Sequence, residues 1–395
     1  MLAAERPIDG LRRRLAGCGS CLYVGGGRGG PVFARPEQAA LVLGPPRSGK
    51  TRGLVIPNVL AQPGPVVSAS TKPDVLAATA ASRAELGQCW LFDPTGSVPA
   101  PPGVRPVRWS PVASCATWDD ALVTARALVR SARPQSAGGE GRHWTERAEA
   151  LLAPLLHGAA VDGSDMRTVV RWVLRQDLDQ PAAVLRAAGA GLAVDVLAGL
   201  AATDHRELSG IWSTAAGTLA AYRSDRALAS AQDPNIDPHG LVHTSDTVYL
   251  CAPADRQDLV APILVAFLEA VRAGAYRAAA SRPAGAGSVR PVTLALDEVA
   301  NIAPLPDLPA LVSEGGGQGV LTLACLQDLA QARQRWGPQA DGFGSLFGVK
   351  VILPGIADTA TLELVSRLCG EEDQPVRSVS RSPWWSGGRG APSVT

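Results

Sequence analysis

Short, largely apolar runs recur along this chain, and between them the apolar positions repeat with a helical period. Residues 41–43, 65–68, 89–92, 247–251, 292–296, 320–325 and 348–353 are rich in Val, Leu, Ile and aromatic side chains, and four of the runs stop directly at Gly44, Asp93, Asp297 and Pro354. Runs that do not alternate with polar residues read as strands covered on both faces, the condition of a parallel sheet. The segments between them predict helices over 51–60, 75–86, 259–280, 309–314, 328–335 and 358–369, with Pro57 expected to end or kink the first. Upstream, 21–24 and 31–33 predict two short strands around the glycine turn 25–30.

The rhythm changes between residues 118 and 239. Helical periodicity continues over 118–131, 143–158, 166–174, 181–200 and 204–228 with no strand pattern. The segment 132–141 is a Pro/Gly/Ser loop, and Asp233-Pro234-Asn235-Ile236-Asp237-Pro238 breaks regular structure. An α/β chain with an all-α insert is therefore expected. The divisions are 1–20 as a basic N-terminal segment, 21–116 as the first part of a nucleotide-binding domain, and 117–242 as the insert. The second part of that domain is 243–380, and 381–395 is a Gly/Ser/Pro-rich tail.

The chemistry enters where the apolar run 41–43 breaks. Gly44-Pro45-Pro46-Arg47-Ser48-Gly49-Lys50-Thr51 fits G-x-x-x-x-G-K-[ST] at every fixed position, directly after a strand and before a helix. Gly44 and Gly49 permit a tight loop whose N–H groups approach a phosphate, and the helix that follows presents its positive end. Lys50 is expected on the β- and γ-phosphates of ATP and the Thr51 hydroxyl on Mg²⁺. Of 37 basic residues only Lys50, Lys72 and Lys350 are lysine. In a chain that otherwise selects arginine, a compact ammonium at this position is informative, because it fits between phosphates where a planar fork does not.

The strand 292–296 runs into Asp297-Glu298. A carboxylate organising Mg²⁺ followed by one that polarises water is the second half of a nucleotide-hydrolysing site, so Asp297 is expected as a metal ligand and Glu298 as the base. Gln327, just past the strand 320–325, either senses the γ-phosphate or caps the next helix. The long stretch separating Lys50 from Asp297 is accounted for by the helical insert.

Composition narrows the partners. A formal net charge of +1 excludes a broad basic field, so contact with nucleic acid has to be local, in a patch or pore. The longest apolar stretches are interrupted by polar residues, so no membrane span is expected. Arg12-Arg13-Arg14 reads as a solvated helix end, with a collar at a membrane surface as the alternative. Cys18 and Cys21 form a lone C-x-x-C with no second pair to complete a zinc site, and read as two small residues needing no disulfide.

Taken in order, GPPRSGKTRGLVIPNVL, STKPD, WLFDPTG, HWTERAEALL, LALDEVANIAPLPDLPALVSEGGGQGV and LQDLAQ resemble the type IV secretion system coupling proteins, the conjugative DNA-transfer ATPases, over roughly residues 20–380. The resemblance implies a RecA-like P-loop NTPase that assembles as a homo-hexamer at the cytoplasmic face of the cell membrane. Such a motor accepts relaxase-bound single-stranded DNA and drives it to the channel components of a type IV secretion system. It implies that Gly44 through Thr51 hold ATP, that Thr51 and Asp297 hold Mg²⁺, and that Lys50, Asp297, Glu298 and Gln327 serve catalysis. An arginine donated by a neighbouring subunit is also implied, with Arg367, Arg377 and Arg381 as candidates. The sequence departs from the family in lacking N-terminal membrane helices, in reading STKPD after the second strand, and in stopping early. A substrate-docking module without motor activity is the alternative reading.

Overall fold

The computed structural model describes residues 7–132, 139–282 and 290–371. Ten strands lie among these residues: β1 Tyr23–Gly27, β2 Gly30–Phe33, β3 Ala40–Leu43, β4 Val66–Ser70, β5 Cys89–Phe92, β6 Val104–Pro106, β7 Thr247–Cys251, β8 Val292–Leu296, β9 Val320–Leu326 and β10 Val349–Ile352. β1 and β2 form an antiparallel hairpin. The other eight form one sheet in the order β10-β3-β9-β8-β4-β7-β5-β6, in which every pairing is parallel.

The six inner strands, β3, β4, β5, β7, β8 and β9, are buried on both faces, as their largely apolar runs require, whereas the edge strands β6 and β10 are partly exposed. Successive residues of a strand point to opposite sides, and the cores divide accordingly. Leu41, Leu43, Val67, Ala69, Trp90 and Phe92 face one core, while Ala40, Val42, Val66, Cys89, Leu91 and Tyr249 face the other. The first core is continuous with the helical residues of the insert. There the helix Gly139–Val161 packs against the helices Trp118–Ala132, Met166–Arg175, Asp179–Ala187, Gly191–Ala201 and His205–Thr218.

The helix Gln257–Ala280 joins the two parts, packing along Trp118–Ala132. It is the one described helix long and apolar enough to cross a membrane, and 78% of its apolar window is buried inside the protein. Its hydrophobicity is that of a core helix.

Several expectations need correction. Pro57 does not end its helix. Thr51–Val55 is wound as a π-helical turn and Ile56–Ala61 continues directly as α-helix, so the helix runs on through Pro57 and the winding changes just before it, the other outcome expected of a proline inside a helix. The run 181–200 is two helices, because Gly189 adopts φ +71° and turns the chain between them. The run 204–228 divides likewise at a 3₁₀ turn, Ala220–Arg223. β6 is a short edge strand with one buried residue, too polar to register as a periodic pattern.

The basic N-terminal segment is a docked helix, Pro7–Cys18. Arg12 is not part of a free collar: its Nε donates to Leu60 O at 3.0 Å and its Nη2 to Ser82 O at 3.3 Å. Cys18 and Cys21, expected as unpaired thiols, are joined as a disulfide with Cα atoms 5.8 Å apart. Arg377, Arg381 and the tail 381–395 lie outside the described residues.

Candidate nucleotide site

In a parallel sheet the loops leaving the carboxyl ends of the strands gather along one edge, and ligands bind there. β3, β8 and β9 are adjacent, with β9 between the other two, so the loops after Leu43, Leu296 and Leu326 emerge side by side. Those loops carry Gly44–Thr51, Asp297-Glu298 and Gln327.

The loop after β3 is held tightly. The Gly44 N–H donates to Leu326 O at 3.2 Å, and the Leu353 N–H donates to Leu43 O at 2.8 Å, which pins the start of the loop between β9 and β10. Gly44 has no room for a side chain, since a Cβ would lie 2.6 Å from Ser48 Oγ and 2.9 Å from Leu353 Cβ. Arg47 and Gly49 have φ of +65° and +97°. The left-handed region suits glycine but strains arginine, and such strain collects where a loop is shaped for a ligand.

Lys50 is buried, and its ammonium donates to the carbonyls of Gly44 and, at 3.0 Å, of Pro45. It thus lies folded against the same loop that would cradle phosphate. The Ser48 hydroxyl is buried without a hydrogen-bond partner, an acceptor or donor already placed in the loop. Pro45 is half-buried, and Pro46 and Arg47 are exposed.

Across the loop, Thr51 Oγ1 donates to Asp297 Oδ2 at 2.6 Å. Asp297 is 6% exposed, and its N–H donates to Ala69 O at 2.8 Å, extending the sheet by one residue. Burial pushes its carboxyl above the usual aspartate range, the Thr51 hydroxyl opposes this, the Glu298 charge adds to it, the Lys50 ammonium opposes it, and Asp74 adds to it. A buried carboxylate under the influence of two further carboxylates, with a hydroxyl at its tip, suits a cation. The donor set is one carboxylate and one hydroxyl. That suits Mg²⁺, which is held by one or two protein oxygens together with phosphates and water. The residues present therefore fit Mg·ATP.

Glu298 is half-buried and has φ +60°. Such a backbone is uncommon for a non-glycine residue. Its Oε2 accepts from Asn301 Nδ2 at 3.5 Å, and Asn301 Oδ1 accepts from Gln331 Nε2 at 3.4 Å. Gln331 Oε1 in turn accepts the Gln327 N–H at 2.9 Å. Gln327 itself is half-buried at the end of β9, and Asp328 rather than Gln327 caps the helix Leu329–Trp336. Sequence reasoning missed Asn301 and Gln331. Their signal was an amide three residues after the glutamate and another four after Gln327, spacings that share a helical face.

The other matched segments have structural work. Both Asp93 carboxylate oxygens are engaged within its own turn, by the N–H groups of Thr95, Ser97 and Val98 and the Thr95 hydroxyl. Arg226 donates to the carbonyls of Thr95 and Gly96, joining that turn to the insert. Lys72 and Asp74 are exposed beyond β4, and Arg367 is exposed on the helix Thr359–Cys369.

Solved structures of similar shape are those of the bacterial conjugative coupling protein TrwB. Its form TrwBdeltaN70, unbound, has a TM-score of 0.60 at 17% identity, covering 79% of this chain and 67% of that one. A trigonal form with sulphate has a TM-score of 0.62 at 19% identity, covering 81% and 71%. TrwB with the ATP analogue ADPNP has a TM-score of 0.59 at 19% identity, covering 79% and 69%. At this identity the likeness shows the fold, a RecA-like P-loop α/β sheet with inserted helices. No curated protein sequence matches the chain. The sequence model for conjugative DNA transfer by the type IV secretory system matches residues 5–390, and on that match, over nearly its whole length, the chain belongs to this family.

Proposed function

We propose that this chain is an ATP-hydrolysing coupling protein that recruits relaxase-bound single-stranded DNA and drives it to a type IV secretion channel during conjugation. The observation that carries the reading is the Thr51–Asp297 hydrogen bond, which brings the two halves of a nucleotide site together across most of the sequence. TrwB has been solved with ADPNP and with ADP and Mg²⁺, which supports the same cofactors here.

When bound, Mg·ATP supplies the phosphoanhydride to be cleaved and a cation that neutralises developing charge. The chain's own residues do the rest. Gly44 and Gly49 keep the loop close, and Lys50 exchanges its loop carbonyls for phosphate oxygens. Thr51 and Asp297 would hold the cation, Glu298 would accept a proton from the attacking water, and Gln327 would orient that water. A homo-hexamer on the inner face of the membrane, with segment 117–242 as the substrate-facing insert and an arginine such as Arg367 completing a neighbour's site, accords with this role.

The test is hydrolysis by purified protein with and without a single-stranded oligonucleotide, for the parent and Lys50→Ala. We expect DNA-stimulated turnover in the parent and at least about 100-fold less in the variant, with an unchanged circular dichroism spectrum. Equal turnover in both proteins removes the catalytic assignment.

A further inference from the structure

The loops that carry the phosphate loop, Gln327 and Asp297 have a fourth neighbour. β4 pairs with β8 in parallel, on the side away from β9, so the carboxyl-end loops of β3, β9, β8 and β4 follow one another along a single edge. The Asp297 N–H donates to Ala69 O, and the segment Ser70-Thr71-Lys72-Pro73-Asp74 continues from that point.

Lys72 is one of only three lysines among 37 basic residues. The other two each sit on a pair of backbone carbonyls, Lys50 on those of Gly44 and Pro45 and Lys350 on those of Gly344 and Phe347. Both are places where a compact ammonium fits and a planar fork does not. Lys72 is exposed, and its ammonium has neither a hydrogen-bond nor an ion-pair partner among the described residues. Its backbone is anchored all the same. Its N–H donates to Ser70 Oγ at 3.4 Å, and Pro73 restricts the conformation of the residue before it.

The charge of this edge calls for such a group. Asp297, Glu298 and Asp74 bring three carboxylates to it, and Asp74 is near enough for its charge to act on Asp297. A divalent cation and the Lys50 ammonium together match those carboxylates, which leaves the charge of a triphosphate to be met by other groups. The order along the edge also says which phosphate Lys72 meets. The phosphate loop lies at one end, Lys72 at the other, and the Thr51–Asp297 pair that would hold the cation between them. Beyond the cation, seen from the phosphate loop, stands the terminal phosphate.

We infer that Lys72 is a specificity-determining residue of this site, which takes the γ-phosphate and so distinguishes ATP from ADP. The inference rests on the nucleotide site proposed above. Lys50, in the phosphate loop, serves both nucleotides, whereas Lys72 has no partner once the γ-phosphate is gone. Its contact with a phosphate oxygen is charge-assisted, the stronger kind of hydrogen bond.

The test is a fluorescence titration, with Mg²⁺ present, of the N-methylanthraniloyl derivatives of ADPNP and of ADP, which reads binding without hydrolysis. Lys72→Met keeps the stem of the side chain and removes its charge, at an exposed position where packing is not disturbed. We expect it to weaken ADPNP about tenfold or more and ADP by less than about twofold. Lys72→Arg keeps the charge in a planar fork and should recover part of the preference for the triphosphate. Equal loss for the two nucleotides overturns the γ-phosphate assignment, because it shows only a general attraction to the edge. Equal affinities in the parent and Lys72→Met also overturn it and leave the nucleotide site standing. A parent that binds neither derivative overturns the proposed function together with this inference.

Discussion

Thr51 and Asp297, 246 residues apart in sequence, are joined by a hydrogen bond of 2.6 Å between the hydroxyl that ends the phosphate loop and the carboxylate that ends β8. β9 separates the two strands in the sheet, so the bond crosses a strand and depends on the register of three. Removing the hydroxyl should therefore act on cation binding rather than on folding. Thr51→Ala is expected to lose about 100-fold or more in Mg²⁺-dependent turnover, and Thr51→Ser to keep most of it. Titrating Mg²⁺ at fixed ATP separates the cases: a raised Mg²⁺ requirement in the alanine variant supports the shared site, and an unchanged one contradicts it.

Asp297 carries a pH signature. Burial raises its carboxyl above the usual value of 3.8, with Glu298 and Asp74 adding to the rise. The native state then holds the proton more tightly than the unfolded chain, so this group favours folding below the ordinary value. That contribution is lost as pH rises through the raised value. Asp297→Asn keeps an oxygen for Thr51 and removes the charge. The stability of the ligand-free variant should gain on that of the parent as pH rises from acid to neutral, while its hydrolysis is abolished. Denaturant unfolding at a series of pH values checks the first point; a constant difference between the two proteins would refute the desolvation account.

Much of this site was legible because the chemistry is local in sequence. Gly44 through Thr51 and Asp297-Glu298 each follow a buried strand, and strand ends of a parallel sheet share an edge by necessity. What could not be read was the side-chain traffic between elements. Asn301 and Gln331 are ordinary amides until the helix Leu329–Trp336 is laid beside the turn after β8. The division of the run 181–200 into two helices was hidden for another reason. Alanine and glycine around Gly189 leave the apolar period intact while the backbone turns through a left-handed residue. Arg12 looked like surface charge because its acceptors, Leu60 O and Ser82 O, belong to distant helices.

Arg83 was equally invisible as a core residue. Its guanidinium is fully buried with no carboxylate partner among the described residues, and instead donates to the carbonyls of Gln62, Gly64 and Ser245 and to the Thr247 hydroxyl. Burial lowers its pKa to about 10. These acceptors lie where the chain enters β4 and β7, so one side chain fixes the approach of two central strands. Arg83→Met should destabilise by about 3–5 kcal/mol, because three carbonyls lose their partner in a dry environment. Arg83→Lys should recover little, since a single ammonium lacks the planar fork that reaches all four. Denaturant midpoints of the three proteins test both statements.

Gly274 offers a test in which two effects have opposite sign. It lies in the interior of the helix Gln257–Ala280, where replacing glycine by alanine ordinarily stabilises by about 1 kcal/mol. Here a Cβ would overlap the backbone of His239, whose Cα stands 2.6 Å from the ideal position, and main chain cannot rotate aside. His239 precedes the 3₁₀ turn Gly240–His243, which packs on this helix. Overpacking of this kind costs about 1–3 kcal/mol, so the contact outweighs the propensity gain. Gly274→Ala is expected to lower the unfolding midpoint, while alanine at Gly199, helical and with nothing within 4 Å of its Cβ position, is expected to raise it. A stabilised Gly274→Ala protein would mean that the loop around His239 does not sit against the helix joining the insert to the sheet.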